Sequence, residues 1–131
     1  KLGPFEEKME VMKSPEELEL EKERTTTTIA IQPFTIPIFQ GSRVAGSIQV
    51  QFELEVTVGR EEEINSKMLR LEDAYLRDLY VFMPRLLRNA EVLDINALKR
   101  RLLRITTKVL GEESQDAVKD VLIQSVADNP G

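Results

Sequence analysis

IQVQFELEVTV, residues 48–58, alternates apolar and polar residues without a break, and this stretch decides the fold. Successive side chains of a strand point to opposite faces, so the two residue classes lie on opposite sides of an extended chain. A period of two over this length predicts a half-buried antiparallel strand with one face on a core and one in water. At roughly 3.4 Å per residue it would span about 35 Å, which is long for a small domain. The predicted core-facing residues are Ile48, Val50, Phe52, Leu54, Val56 and Val58.

Two β-rich stretches precede the long strand. Thr25 to Ile31 contains four threonines and two isoleucines, and FTIPIF follows at residues 34–39. Pro37 restricts the second stretch to an edge strand or an extended loop, because proline cannot donate to a sheet ladder. Gln40 to Arg43, together with Gly46, predicts the turn into the long strand.

An amphipathic helix is predicted from about Arg60, after Gly59 ends the long strand. Glu61 to Glu63 fall in its first turn, where negative charge complements the helix dipole. Pro84 is expected to kink or end the helix near Phe82. Apolar residues at spacings of three and four form the predicted buried stripe: Ile64, Met68, Leu71, Tyr75, Leu79, Phe82 and Leu86, widened by Leu69, Leu76 and Val81.

A second helix and a last strand complete the pattern. The helix begins at Asp94 or Asn96, both good N-caps, and Gly111 is its natural stop. Residues 112–115 are a polar connection, and Ala117 to Val126 is the strand. That strand has apolar residues on both faces, which predicts a position inside the sheet rather than at its edge. The apolar stripe of the helix is Ile95, Leu98, Leu102, Ile105 and Val109.

The element order predicts an α+β domain over residues 25–131. A small antiparallel or mixed sheet, in β-β-α-α-β order, would carry both helices on one face. Residues 1–24 contain eight Glu against five Lys and Arg and form an acidic linker. Ser14, Pro15 and Glu17 make a good helix start, so the linker is expected to be partly helical.

Composition excludes several classes of site. The chain has no Cys and no His, which removes disulfides, thiol chemistry and the commonest general base and metal ligand. Its net charge of −5 argues against nucleic-acid binding. Glu53, Glu55 and Glu61 to Glu63 do not form the partnered pair in a cleft that hydrolysis needs. The sequence therefore predicts a protein without enzymatic activity, metal, cofactor or small-molecule substrate.

Three segments are candidate interaction surfaces. Residues 85–108 hold seven Lys and Arg against two acids, and could bind an acidic partner or anionic lipid headgroups, or form a solvated helix face supported by the helix dipole. Residues 34–39 are either core or an exposed edge, and residues 1–24 either a spacer or a helix that orders on assembly. The candidate interface residues are Leu18, Leu20, Phe34, Ile36, Ile38, Phe39, Arg85, Arg88, Arg100, Arg101 and Arg104.

Residues 29–131 resemble the periplasmic domain of the flagellar basal-body-associated FliL family. The resemblance is carried by four pieces in order: Pro33-Phe34 after an apolar strand, GSIQVQFELEVTV, REEEINSKMLRLEDAYLRDLYVFM, and LKRRLLRITTKVLG followed by VKDVLIQSV. Val118 to Val121 is the most specific match.

The resemblance implies an SPFH-like fold, as in stomatin-like proteins, and a bacterial inner-membrane protein with this domain in the periplasm. The single membrane helix would precede this chain, which begins at Lys1. Members form homo-oligomeric rings around the stator proteins of the flagellar motor and have no enzymatic activity. The alternative is a tethered adaptor outside the flagellum that binds a partner peptide by strand addition at the edge formed by residues 29–39.

Overall fold

The computed structural model describes residues 14–15, 25–88 and 93–130. Within them a four-stranded antiparallel sheet packs against helices, so the predicted α+β class is confirmed. The elements are β1 (Thr26–Ala30), β2 (Phe34–Gln40), β3 (Arg43–Thr57), α1 (Glu61–Ser66), α2 (Met68–Arg88), α3 (Ile95–Ser114), a 3-10 turn (Gln115–Ala117) and β4 (Val118–Pro130). The first predicted helix is thus two helices, separated at Lys67.

The long strand β3 is the centre of the sheet. β1 pairs with its residues 53–57, β2 with residues 43–50, and β4 with residues 46–56. A strand has two edges, so β1 and β2 must lie end to end along the edge that β4 does not occupy. β4 pairs with β3 alone among the described strands, and the prediction of an interior position for it is wrong.

Two β-bulges explain why the sequence of the last strand has apolar residues at positions that predicted burial of both faces. The pairing of β4 with β3 skips Lys119 and Gln124, and each extra residue reverses the alternation of side chains. The β3 partners of Val118, Val121, Ile123 and Val126 are all core residues, whereas Leu122 lies opposite Glu53 on the other face. The apolar residues of β4 therefore occupy mainly one face, as in β3, because only one face of the sheet packs on the core.

The ends of β3 differ from the prediction. The strand begins at Arg43, so the turn consists of Gly41 and Ser42, and Gly46 lies inside the strand. Gly41 has φ +66°, a conformation that glycine adopts without strain. At the other end Val58 lies in a turn and is 52% exposed, so its predicted core position is wrong. The remaining five predicted inward residues are buried.

The helix α2 continues through Pro84 to Arg88. Of the two alternatives predicted near Phe82, a kink or an end, the end is therefore wrong. Proline removes the hydrogen bond to the carbonyl four residues earlier, which belongs to Tyr80. Tyr80 is 45% exposed, and water can reach that side of the helix. The buried face consists of Leu71, Tyr75, Leu79 and Met83.

Three residues of the predicted helical stripes face outward. Leu69 is 83% exposed, Val81 54% and Ile95 43%, so these predictions are wrong. For α3 the predicted N-cap at Asp94 is confirmed, since its carboxylate accepts a 3.0 Å hydrogen bond from the Ala97 amide. Gly111, with φ +74°, breaks the helix, but one further turn extends to Ser114.

Tyr75 lies at the centre of the core. Its ring packs edge-on against Phe52 at 4.9 Å and against Phe34 at 6.0 Å. Its hydroxyl bonds to that of Thr106, which donates in turn to the Leu102 carbonyl at 2.7 Å. Burial raises the pKa of the Tyr75 phenol, so the group stays protonated. This chain of hydrogen bonds joins α2 to α3 beneath their outer surface.

Candidate interaction surfaces

Arg101, a predicted interface residue, is engaged inside the molecule. Its Nε and Nη2 each donate a 2.9 Å hydrogen bond to an oxygen of the Asp78 carboxylate. Its guanidinium carbon lies 4.9 Å from the centre of the Phe82 ring. The hydrogen bonds to Asp78 raise the pKa of Arg101. Arg101 therefore joins α3 to α2, and Lys99 similarly donates to Asp120 of β4 at 3.1 Å.

Arg100, Arg104 and Lys108, here called the basic stripe, are exposed on the outer side of α3. They recur every four residues, so they lie along one face of the helix. None of them has an ion-pair partner within the described part of the chain. Each pair of like charges four residues apart destabilises a helix by about 0.2–0.5 kcal/mol.

A groove of about 650 Å³ runs between the outer faces of α2 and α3. Both acids in its lining are already paired, Asp73 with Arg77 and Asp78 with Arg101. Arg70 and Lys108 have no such partner among the described residues. The lining of the groove therefore combines apolar side chains with an excess of positive charge. Its lining includes Arg70, Ala74, Val81, Ile105, Lys108 and Val109, and it is called the α2–α3 groove below.

A second, smaller groove lies where β2 meets the end of α2. Its volume is about 300 Å³, and it is lined by Ile38, Phe39, Pro84 and Leu87. Phe39 is 57% exposed, and its cross-strand partner Val44 is 55% exposed. This hairpin end is the exposed part of the predicted 34–39 surface. Phe34 and Ile36 are 7% and 0% exposed and belong to the core, so their predicted place in an interface is wrong.

The remaining predicted interface residues fall into two groups. Arg85 is exposed on α2, one turn beyond Val81. Leu18 and Leu20 lie outside the described residues, and so does the side chain of Arg88. Arg70, Val81 and Lys108 were not among the predicted interface residues, although Val81 was predicted in the buried stripe and Lys108 belongs to the basic run of residues 85–108. Its spacing of four residues from Arg104 is the pattern that places Lys108 on the same helix face as that predicted residue.

Arg60 holds together the end of the molecule where α1 meets the end of α3. It donates to Glu63 at 2.7 and 2.9 Å, to the Glu113 carbonyl at 3.1 Å, and contacts the Asp116 carboxylate at 2.9 Å. The hydrogen bond from Arg60, and then that from Ser114 at 2.9 Å, lower the pKa of Glu63 to about 2. Glu63 is therefore a partner in an internal network and not only a complement to the helix dipole.

Four other glutamates at this end remain on the surface. Glu62, Glu112 and Glu113 are exposed and Glu61 is half-buried, accepting a hydrogen bond from the Gly59 amide. These four residues are called the acidic end. Lys67 contributes its charge internally, where its Nζ donates to the Leu110 carbonyl at 3.1 Å. One molecule thus carries both an acidic end and a basic stripe, and Glu112 of the acidic end follows Lys108 of the stripe by four residues.

The described residues contain no group of three or more Asp and Glu placed to hold a metal ion. Among the described helices, none is long and apolar enough to cross a membrane. No protein-family model, curated protein or solved structure matches this chain.

Proposed function

We propose that this chain is a non-enzymatic scaffold domain that assembles into rings around the stator units of a bacterial flagellar motor. In this proposal the domain lies in the periplasm, tethered to the inner membrane by a helix that precedes residue 1. The proposal is supported by the ordered resemblance of residues 29–131 to the FliL family and by an α+β fold of the kind that the resemblance implies.

The presence of two complementary charged surfaces on one molecule carries the proposal. The basic stripe has no ion-pair partner in the described chain, and the acidic end is formed by residues of α1 and of the end of α3. Contact between the stripe of one copy and the acidic end of the next would be a heterologous, head-to-tail interface. Repeating such an interface generates a closed ring when the rotations between successive copies add up to a full turn. Ring assembly would place each unpaired cation opposite a carboxylate.

Arg101 has a different role from the other predicted contact residues. Its carboxylate partner is Asp78 of the same molecule, so reversing its charge would weaken the α2–α3 contact. A charge-reversal variant that tests assembly and leaves the fold intact should therefore change only Arg100 and Arg104.

The test compares the mass of the bare chain with that of a chain carrying an N-terminal trimerising helix. We expect a large closed oligomer for the tethered form by light scattering, and its loss in Arg100→Glu/Arg104→Glu. The matched control is Arg43→Glu/Lys119→Glu, since both residues are exposed away from the stripe and the charge change is equal. Assembly of the stripe variant at the level of the control would reject this contact.

A second candidate is the peptide-binding adaptor, and one feature favours it. The edge of β1 and β2 away from β3 has no strand partner among the described residues. The groove lined by Ile38, Phe39, Pro84 and Leu87 lies beside this edge and could receive side chains of an added strand. Pro37 opposes this mode, because it lacks an amide donor. An adaptor would stay monomeric at high concentration even when tethered, until its peptide is added.

A further inference from the structure

The α2–α3 groove has two exposed cations at one level, Arg70 on α2 and Lys108 on α3. Three contacts fix how the two helical regions run past each other: Lys67 with the Leu110 carbonyl, Tyr75 with Thr106, and Asp78 with Arg101. Arg70 and Lys108 both fall between the first and the second of these contacts. A carboxylate bound at this level of the groove would therefore lie between two cations.

The charges in the groove lining are unbalanced. Four cations line it against two acids, and both acids are already held by Arg77 and Arg101. Arg70 and Lys108 have no ion-pair partner within the described chain. An acidic occupant would complement these two cations, whereas a basic occupant would be repelled by them.

Apolar side chains continue along the groove from this pair of cations. Val81 in the lining is 54% exposed, and Ile105 is 8% exposed. From Arg70 to Val81 the lining follows eleven residues of α2, which is about 16 Å. The α2 residues in it include positions 70, 74, 77 and 81, whose spacing of four, three and four marks one face of the helix.

The shape of the groove favours a helix as its occupant. An α-helix uses its backbone groups internally, so an extended peptide finds no strand edge between α2 and α3. A small-molecule pocket encloses most of its ligand, whereas this groove leaves Val81 half exposed. A third helix laid along two others can instead place side chains at spacings of three and four into the crease between them.

The described helices of a second copy do not supply this occupant. The acidic helix among them is α1, which has three glutamates in its first turn. Its six residues are about 9 Å long, little more than half the length of the groove. The occupant is therefore expected in another polypeptide.

We infer that the α2–α3 groove binds an acidic amphipathic helix of a partner protein. A carboxylate of that helix lies between Arg70 and Lys108, and its apolar side chains pack on Val81 and Ile105. The inference does not rest on ring assembly, because Arg70 and Val81 lie outside the basic stripe. Since Lys108 belongs to both surfaces, the bound helix competes with an acidic end for that residue.

The test uses two synthetic peptides of about 16 residues that differ only in charge. Both carry leucines at spacings of three and four, flanked by glutamates in one peptide and by lysines in the other. We expect fluorescence anisotropy to show at least about tenfold tighter binding of the acidic peptide. Arg70→Glu/Lys108→Glu should reverse this preference. The matched control is Arg43→Glu/Lys119→Glu, which makes the same charge change away from the groove and should retain it.

The apolar contact is tested separately with two aspartate variants of α2. Val81→Asp should weaken binding of the acidic peptide by at least about tenfold. Leu69→Asp is the control, because Leu69 is 83% exposed on the same helix and outside the groove lining. Its affinity for the peptide should stay within about twofold of that of the native chain.

Equal effects of the two aspartate variants would overturn the inference, as would an unchanged charge preference in folded Arg70→Glu/Lys108→Glu. Vesicles of phosphatidylglycerol provide a further arm. Vesicle binding that depends on Arg70 and Lys108, without binding of the acidic peptide, would overturn the inference in favour of a membrane surface. Arg70→Glu alone leaves the basic stripe intact, so its oligomeric mass reports ring assembly separately from peptide binding.

Discussion

Leu79 and Leu69 are leucines of the same helix, ten residues apart, and their surroundings are opposite. Leu79 is fully buried against the sheet, whereas Leu69 is 83% exposed. The same contrast holds for charges: Asp78 bridges α2 to α3, while Asp73 pairs with Arg77 on the surface of its own helix. The inner face of α2 is closed by packing and satisfied hydrogen bonds, and its outer face retains unpaired cations and exposed apolar side chains. Residue type alone therefore does not tell which contacts hold this fold together.

The two leucines should give the largest difference in stability. Leu79→Ala leaves a cavity between α2 and the sheet and should lower the free energy of unfolding by about 3 kcal/mol. Leu69→Ala removes no packing and should change it by less than about 0.5 kcal/mol. Urea denaturation of both variants measures the difference. Equal losses would mean that the start of α2 is packed in solution.

The two aspartates should differ by less. Asp78 and Arg101 are 24% and 35% exposed and joined by two hydrogen bonds, whereas Asp73 and Arg77 are 63% and 78% exposed. Asp78→Ala should therefore be more destabilising than Asp73→Ala by about 1 kcal/mol, since exposed pairs contribute little. Thermal unfolding at low and high salt measures both effects. A cost for Asp73→Ala as large as that for Asp78→Ala would contradict this assignment.

The smallest effect extends the comparison to α1 and depends on pH. Hydrogen bonds from Arg60 and Ser114 lower the folded-state pKa of Glu63 to about 2, from an ordinary value of 4.5. Its contribution to stability is therefore complete above the ordinary value and is lost as pH falls toward 2. Glu63→Gln should lower the Tm at neutral pH, and the difference from the native chain should shrink between about pH 5 and pH 2.

Glu62→Gln is the matched control for this measurement, because Glu62 is exposed in the same helix. Its Tm should follow that of the native chain at every pH. A pH-independent difference for Glu63→Gln would show that the Arg60 network does not depend on the charge of Glu63.

Much of the fold could be predicted because period-two and period-3.6 patterns are local. The strand pattern of residues 48–58 identified five of the residues that line the core, and Asp94 was a recognisable cap. Errors arose where a pattern ended or shifted. Val58 continued the alternation in sequence, but the strand stops at Thr57, and the bulges at Lys119 and Gln124 reversed the apparent faces of β4.

The candidate surfaces were less predictable than the core. A run of basic residues identified α3 as positively charged, but not which cations remain available. Arg101 and Arg104 are three residues apart in the same run, and one is paired with Asp78 while the other has no ion-pair partner in the described chain. Such pairings depend on residues more than twenty positions away, which local patterns do not reveal.

The sequence by itself determined the α+β class, the central strand and the two helical regions, because backbone periodicity and capping act over a few residues. It also determined the lack of thiol and imidazole chemistry in this chain, through its lack of Cys and His. Only the tertiary structure decided that β4 is an edge strand, that Phe34 and Ile36 are buried, and which charges of α2 and α3 are paired. Those outcomes depend on which elements meet in space, and burial and ion pairing are properties of such contacts.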